Sequence, residues 1–470
     1  PRSTTELWAR RLEQVAGDAR DALELAAILG PRFGGAWRPG VDAGALVERA
    51  LRAQVWWVEH GELRWTHELA REAVLGAAEA EGRLASLHRR AITCVDAELE
   101  PARAGRHHLA AGDAERAAAL FLTALRAAAA SGEWLAVDRT DRELRRALTA
   151  MGGGGRMEVD RLLERARMAA NRWRSDEAWT HLASLRERVL EAGDVNQRGL
   201  YHWLCGQTLV VEQRPSDALR HFEQAEALHG ADPGRRARLL RAQARCLRLA
   251  GDVEGALGRL RDAVDVARTL EDDTISADIL LTLAVTLHTA GRLDEAQPVY
   301  LDAIEAYGEG YAGARSELWT NLGDLHRHRG DREAARAAYE HARPLIETTG
   351  CATDSLELGV ALLDVTSDPD RARRTLEGVC ARAAGTAQAG FAHLFLLQLC
   401  DARADWDTHW TSGLGQLPVL PAELDLDLAL TGAVRRAEER GWTERARRVR
   451  EARDEVRRKL GRSSTSGDDR

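Results

Sequence analysis

Apolar residues recur along this chain at spacings of three and four, in long segments separated by short turns. That period is typical of an amphipathic α-helix. The stretch RRARLLRAQARCLRLAGD, residues 235–252, shows it clearly. At about 100° per residue, its leucines fall on one side, and four arginines fall within an arc of about 80° on the other. These are Arg238, Arg241, Arg245 and Arg248.

The arginine face has an energetic cost. Like charges three or four residues apart repel by roughly 0.2–0.5 kcal/mol per pair, so the three adjacent pairs cost about 1 kcal/mol. Two interpretations stay open. Either the arginines bind an acidic ligand, or they are solvated or paired with carboxylates of neighbouring helices, with Asp278 as the candidate partner.

Similar helical segments repeat along the chain. Residues 318–342, LWTNLGDLHRHRGDREAARAAYEHA, fit the tetratricopeptide pattern W-x2-L-G-x2-Y-x3-G-x4-A-x3-F-x2-A except at His326. A small residue of the second helix recurs in steps of 40, 38, 40, 39 and 37 residues, at Ala178, Ala218, Ala256, Ala296, Ala335 and Ala372. Units in register over such distances predict a repeat array.

The predicted fold class is therefore all-α, a right-handed tetratricopeptide-like superhelix of helix-turn-helix repeats of about 37–40 residues. We expect it to span residues 156–460. Connecting helices and a first repeat would occupy 91–155, ending in a flexible joint at the glycine run 152–155. Residues 461–470 are expected to be disordered.

The first 90 residues differ in pattern. Residues 18–30 and 41–54 each predict an amphipathic helix. Residues 55–75 then predict a strand, a turn around His60 and Gly61, a second strand and a helix. This order predicts a small winged-helix-like domain over residues 1–90.

The repeat register places certain side chains on the concave face, which the first helix of each unit lines in such arrays. Guanidinium groups in a groove suit carboxylates and phosphates, so the predicted ligand is a protein or peptide, acidic or phosphorylated, or a free C-terminal carboxylate. The candidate ligand-binding residues are Arg167, Trp203, Gln207, Arg238, Arg241, Arg245, Arg248, His288, Asp324 and Arg327.

Composition narrows the function classes. The net charge of −8 argues against nucleic-acid binding by bulk charge. The basic segment 433–459 interleaves acids at helical spacing, which favours a polar capping repeat over a nucleic-acid contact. The six cysteines form no CxxC pair and predict reduced thiols in a cytoplasmic protein. No apolar run of 18 residues exists, so no membrane segment is expected.

Catalytic and metal-binding patterns are missing from the sequence. There is no GxxxxGK[ST] phosphate loop and no GxSxG nucleophile motif. The segment THELAR has Arg71 where a zinc-binding HExxH motif needs histidine. We expect no enzyme activity, no cofactor and no metal site in this chain.

The winged-helix-like segment and the repeats together resemble the signal-transducing ATPases with numerous domains, the STAND proteins, with motif detail over residues 20–130. The resemblance implies a sensor region that responds to a ligand and releases an upstream ATPase from its resting state. It also implies that His67, at the start of a helix, contacts an ADP phosphate. The matching residues are Leu29, Gly30, Phe33, Leu46, Leu51, Gly61, Leu63, Trp65, His67, Arg71, Val74 and His88.

The predicted function is a non-catalytic sensor and protein-interaction region of a STAND-like bacterial signalling protein. The chain begins without methionine, from which we expect a fragment of a longer protein, and the resemblance implies that its own ATPase module lies upstream. The alternatives are a static scaffold for a protein partner, part of a transcription regulator and part of a kinase-linked ATPase. Assembly into an oligomer on activation stays open.

Overall fold

The computed structural model describes residues 4–34, 37, 44–131, 133–172, 174–270, 272–349, 353–417, 420 and 424–459. The chain divides into two compact units, Pro1–Gly193 and Asp194–Arg470. The tail 461–470, which the sequence predicts to be disordered, lies outside the described residues.

Among its described residues, the first unit contains helices and a single two-stranded hairpin. Its strands are β1 (Trp56–Glu59) and β2 (Glu62–Trp65). Its helices are α1 (Thr4–Ala16), α2 (Arg20–Ile28), α3 (Gly44–Arg52), α4 (Glu68–Ala80), α5 (Leu84–Ile92), α6 (Pro101–Ala110), α7 (Ala114–Ala130), α8 (Trp134–Ala150), α9 (Gly155–Asn171) and α10 (Ser175–Ala192).

The strand-turn-strand-helix order predicted for residues 55–75 is present. Strands β1 and β2 pair antiparallel with Trp56 opposite Trp65. The turn uses positive φ at His60 (52°) and Gly61 (82°), as a two-residue hairpin turn of type I′ requires. The rings of Trp56 and Trp65 pack edge to face at 5.8 Å and, with Phe33, help form the core beneath the hairpin.

The predicted boundaries at residues 90 and 155 do not separate compact units. One apolar core extends from Leu12 past residue 90 to Ala104 and Leu120, because α5 and α6 pack on each other and α5 packs on α2. The glycine run 152–155 forms the turn between α8 and α9 inside the first unit, with positive φ at three of its glycines. The division falls at Gly193 instead.

The second unit consists of helices joined by short turns. They are α11 (Val195–Val211), α12 (Pro215–His229), α13 (Pro233–Leu249), α14 (Val253–Ala267), α15 (Asp273–Thr289), α16 (Leu293–Tyr307), α17 (Ala312–His328), α18 (Arg332–Thr349), α19 (Asp354–Asp364), α20 (Pro369–Arg382), α21 (Ala387–Leu396), α22 (Arg403–Gln416), α23 (Leu424–Glu439) and α24 (Thr443–Lys459).

Small residues set the close approach of paired helices, as the repeat pattern predicts. The five recurring alanines of this unit, Ala218, Ala256, Ala296, Ala335 and Ala372, are at most 1% exposed. A Cβ added at Gly206 would lie 2.6 Å from Phe222 Cε1, and one at Gly323 would lie 2.4 Å from Tyr339 Cε1. In these two repeats the large ring of the second helix therefore fills the space that glycine leaves on the first.

The turn inside each repeat needs a left-handed residue at its centre. Gly251, Gly291 and Gly330 have φ of 88°, 76° and 81° and follow the first helix of their repeats. In the preceding repeat the sequence lacks this glycine, and Gln213 adopts φ 59° at the equivalent position. The repeat geometry thus forces a conformation that glycine accommodates better than glutamine.

First helices form the inner layer of the array. Helix α13 packs on α15, α15 on α17, α17 on α19 and α19 on α21, in addition to contacts with their own second helices. Second helices pack on the first helix that follows them, for example α14 on α15. The spacing between first helices is therefore short, which places their shared face on the concave side of the array.

Two further findings concern expectations from composition. Within the described part of the chain, no helix is long and apolar enough to cross a membrane. Cys94, Cys205, Cys246, Cys380 and Cys400 form no disulfide bond with one another, and Cys351 lies outside the described residues.

Candidate functional site

The inner face of α13, α15 and α17 carries charged side chains at helical spacing. We call the surface formed by Arg241, Arg245, Asp278, Glu317 and Asp324 the inner groove. Residues three or four apart lie on one helix face, so Glu317 and Asp324 belong to one stripe of α17, with Asn321 between them.

Two of the four arginines on α13 are paired with carboxylates near the start of α15. Arg241 Nη1 lies 2.7 Å from Asp278 Oδ2, and Arg238 Nη2 lies 3.9 Å from Asp272 Oδ2. The hydroxyl of Tyr307 also donates to Asp278. For these two arginines, the interpretation that they pair with the next repeat is the one the structure shows.

Arg245 is different. Its side chain is exposed, and it makes no hydrogen bond or ion pair with any residue that the structure describes. Surrounding protein nevertheless lowers the pKa of Arg245 through desolvation, Arg241 lowers it further, and Glu317 opposes the shift. Water reaches the Arg245 side chain although protein surrounds it. A concave surface produces this combination.

Glu317 lies on the same surface as Arg245 and carries the opposite charge. Its side chain is exposed as well, and desolvation together with Asp278 raises its pKa, whereas Arg245 lowers it. Sequence reasoning missed Glu317, although a signal exists. It stands 18 residues before the recurring Ala335, as Asp278 stands 18 residues before Ala296.

Arg327 is not free in the groove. Its Nη1 lies 2.8 Å from Asp425 Oδ1 and its Nη2 lies 2.8 Å from Asp425 Oδ2, a bidentate pair. Its Nη2 also lies 3.1 Å from Asp324 Oδ1, and His328 Nε2 lies 2.9 Å from Asp425 Oδ1. Asp425 belongs to the first turn of α23, so a late helix contributes a carboxylate to the inner face.

The electrostatics of this cluster follow from the shared guanidinium. Burial alone would raise the pKa of Asp425, but Arg327 and His328 hold it well below its usual range. Burial and the nearby Asp425 raise the pKa of Asp324, with Arg327 opposing. Asp324 thus keeps a greater affinity for a proton than Asp425, because the positive charge of Arg327 mainly compensates the carboxylate of Asp425.

His288 is buried, contrary to the prediction that it lines the groove. Its Nε2 lies 2.8 Å from His328 Nδ1 and its Nδ1 lies 3.2 Å from the Tyr300 hydroxyl. Both ring nitrogens therefore have partners inside the helix packing. Burial, with His328 adding, lowers the pKa of His288 to about 3.

The other predicted groove residues have different surroundings. Trp203 is half-buried and packs on Phe222 of α12, with ring centroids 5.3 Å apart, rather than standing exposed. Gln207 is half-buried on α11, and Arg248 is half-buried one turn beyond Arg245. Arg167 belongs to the first unit, where its Nη2 lies 2.7 Å from Glu164.

His67 stands immediately before α4, as predicted. It is exposed, its side chain makes no capping hydrogen bond, and its ring lies 5.6 Å from that of Trp8. The position leaves the imidazole accessible beside backbone N–H groups, which favour anions at a helix N-terminus.

Two cavities border the Arg327–Asp425 pair. One has a volume of about 230 Å³ and is lined by residues of α17, α19 and α21, including Asn321, Asp324 and Arg327. The other, of about 140 Å³, is lined by α15, α16 and α17, with Leu424 of α23. Asn321, Asp324 and Asp425 line both. Among the described residues, no group of three or more histidine, cysteine or carboxylate side chains is arranged to hold a metal ion.

A comparison with protein families finds a match for the central helices. Residues 235–309 and 275–348 match the tetratricopeptide repeat model, a stretch that corresponds to α13–α18. No curated protein matches the sequence.

Solved structures share the architecture more widely. The sensor-bearing STAND protein of Pyrococcus horikoshii aligns with a TM-score of 0.62 at 13% identity, over 88% of this chain and 65% of that one. A Rap protein complexed with competence and sporulation factor gives 0.58 at 14% identity, over 74% and 99%. The apo quorum sensor NprR from B. thuringiensis gives 0.53 at 14% identity, over 72% and 97%.

At such identities the likeness concerns the fold. This chain is all-α with tetratricopeptide-like helical repeats and one two-stranded hairpin near its start. Its architecture is similar to that of the repeat sensor of a STAND protein and to those of Rap and NprR.

Proposed function

We propose that this chain is the non-catalytic ligand-binding region of a signalling protein, and that it takes an acidic or phosphorylated peptide in the inner groove. The observation that carries this proposal is Arg245, an exposed guanidinium on the concave side with no described partner. Arg245 repels Arg241 and Arg248 by roughly 0.4–1 kcal/mol in total, and no ion pair of Arg245 within the described residues supplies compensation for this repulsion.

A ligand carboxylate would supply that compensation. A hydrogen bond to a charged group contributes about 1.5–3 kcal/mol, which exceeds the repulsion. The fold supports a peptide as the ligand, because NprR in complex with its cognate peptide has a similar architecture at a TM-score of 0.51 and 13% identity.

Binding is proposed to act on an ATPase module of the same protein, with assembly of the activated protein as a further outcome. The support is the alignment with the STAND protein of Pyrococcus horikoshii, of whose length this chain covers 65%. In that arrangement His67 contacts nucleotide phosphate. In a protein that joins this chain to its ATPase module, His67→Ala would raise basal ATP turnover, and unchanged turnover would contradict the role.

The groove is tested by binding of a mixed acidic and phosphopeptide library at two salt concentrations. The sharpest variant is Arg245→Ala, because no described hydrogen bond or ion pair is lost with the side chain. Its matched control is Arg268→Ala, which removes an arginine that is 75% exposed at the end of the second helix α14. We expect salt-sensitive binding by the unaltered chain and the control, and at least tenfold weaker binding by Arg245→Ala.

A triple variant extends the test to the whole arginine face. Replacing Arg241, Arg245 and Arg248 by alanine is compared with replacing Arg220, Arg261 and Arg268, which are exposed on or beside second helices and change the net charge equally. Equal binding by both triple variants, or no binding by any protein, overturns the proposed site. Binding without any effect on a joined ATPase module favours the static scaffold instead.

A further inference from the structure

We propose that Arg327 and His328 form a carboxylate-binding site, which the chain's own Asp425 occupies at rest and which an aspartate or glutamate of the peptide ligand takes in its place. The inference rests on the proposed function and adds the regulation of its site. The ligand class is a peptide with two acidic residues at a defined separation.

Arg327 and His328 bind the carboxylate of Asp425 as they would bind the carboxylate of a ligand. Arg327 Nη2 donates a hydrogen bond of 2.8 Å to Asp425 Oδ2, Arg327 Nη1 lies 2.8 Å from Asp425 Oδ1, and His328 Nε2 lies 2.9 Å from the same Oδ1. It reaches them from α23, 97 and 98 residues further along the chain. Parallel bidentate bonds are the geometry by which arginine recognises carboxylates generally.

Helix α23 does not depend on this contact for its place in the array. Leu426 and Leu430 are at most 2% exposed in the core that α23 shares with α21 and α24. Asp427, two residues after Asp425, is paired with Arg457 of α24 at 2.7 Å. The side chain of Asp425 can therefore leave Arg327 while Leu426 and Asp427 keep the helix packed.

The surroundings offer space and an unused donor. The cavities of about 230 Å³ and 140 Å³ both reach Asp425, and each exceeds the roughly 10–15 Å³ that one water needs. Arg327 Nε is buried without a hydrogen-bond partner among the described residues. An incoming carboxylate thus finds room beside a guanidinium that Asp425 does not saturate.

The separation of Arg245 from this site can be gauged along α17. Glu317, whose charge acts on Arg245, and His328 are 11 residues apart on that helix, about 16 Å at roughly 1.5 Å per residue. An extended peptide covers that distance in about five residues at roughly 3.3 Å each. One ligand can therefore place one carboxylate at Arg245 and a second at Arg327.

The test uses the full chain with variants of Asp425. The probe is the blocked peptide Glu-Ser-Ser-Ser-Ser-Glu, and its control is the same peptide with glutamine at both ends. Asp425→Ala frees the site, and Asp425→Asn does so with the side chain's shape retained if the alanine variant does not fold. The matched control is Asp427→Asn, which removes a carboxylate from the same helix at its contact with α24.

Affinities are measured by calorimetry or fluorescence anisotropy. We expect Asp425→Ala or Asp425→Asn to bind the glutamate peptide at least tenfold more tightly than the unaltered chain and Asp427→Asn, with no gain for the glutamine peptide. Equal affinities of the Asp425 and Asp427 variants, or a gain shared by both peptides, overturn the inference. No binding by any protein overturns it as well.

The proposed function is judged separately in the same titration. If Asp425→Ala gains affinity but Arg245→Ala loses none, the site at Arg327 stands and the arginine face fails. If Arg245→Ala loses affinity and Asp425→Ala gains none, the arginine face stands and the internal carboxylate is only structural.

Discussion

A methyl group on Gly323 would stand 2.4 Å from Cε1 of Tyr339, closer than carbon atoms can approach without movement. Tyr339 is 1% exposed, and its hydroxyl donates to Asp324 at 2.6 Å. This pair joins α17 to α18 and holds one carboxylate of the inner groove, so the packing of the repeat also positions the candidate site.

Gly323→Ala should therefore destabilise the chain. Overpacking of this kind costs about 1–3 kcal/mol, measured as a lower denaturant midpoint. The control is Gly258→Ala on α14, where nothing lies within 4 Å of the added carbon, and where alanine should gain about 0.5–1 kcal/mol as the better helix former. Similar shifts for both variants would contradict the steric account.

Gln213→Gly should stabilise the chain. The residue has φ 59° at the turn position where later repeats have glycine. Removing the strain of the left-handed backbone should stabilise the folded chain by about 1–2 kcal/mol. The greater freedom of glycine in the unfolded state offsets roughly 0.5–1 kcal/mol of this gain. We expect a small rise in the thermal midpoint. Glu212→Gly, at φ −78°, should lower it, and a rise there would refute the argument.

Arg161→Ala should be strongly destabilising. The side chain is 5% exposed, with Nη1 2.8 Å from Asp141 and Nε 2.8 Å from Glu158. Removing one partner of a buried pair costs about 3–5 kcal/mol, since the remaining charge stays buried. Arg447→Ala removes only exposed ion pairs, with Glu444 and Glu451, in which the arginine side chain is 55% exposed, and it should destabilise the chain far less than Arg161→Ala. Chemical unfolding of both variants provides the measurement.

Stability should fall between pH 6.5 and about 4. Paired histidines contribute, with His202 Nδ1 3.0 Å from His221 Nδ1 and His88 Nδ1 2.9 Å from His107 Nδ1. Burial, with the neighbouring histidine adding, lowers the pKa of His202 and of His107 to about 4. Below pH 6.5 the unfolded chain therefore binds protons that the folded chain does not, so acid favours unfolding.

The check is the thermal midpoint as a function of pH. His202→Asn should flatten the loss between pH 6.5 and 4 relative to the unaltered chain. His60→Asn, at an exposed turn position whose positive φ asparagine accepts, should leave the profile unchanged. Parallel profiles for all three proteins would exclude the His202–His221 pair as a source of the pH dependence.

Local patterns accounted for most of the helices, because each repeat buries the same positions against its neighbours. The alanine at each step, the glycines opposite Phe222 and Tyr339 and the turn at His60 and Gly61 all depend on contacts between segments close in sequence. Asp278 could also be predicted from the sequence as the partner of Arg241, because it lies in the next repeat.

The sequence by itself determined the repeat, its register and the arginine face of α13, since these follow from side-chain spacing on a helix. Only the tertiary structure decided which arginines remain available. Asp425 reaches Arg327 from 98 residues away, and Tyr300 and His328 enclose His288. The division of the chain at Gly193 rather than at residue 90 or 155 was decided in the same way. Contacts between distant segments depend on how the array curves and where its last helices return, and no local spacing encodes either.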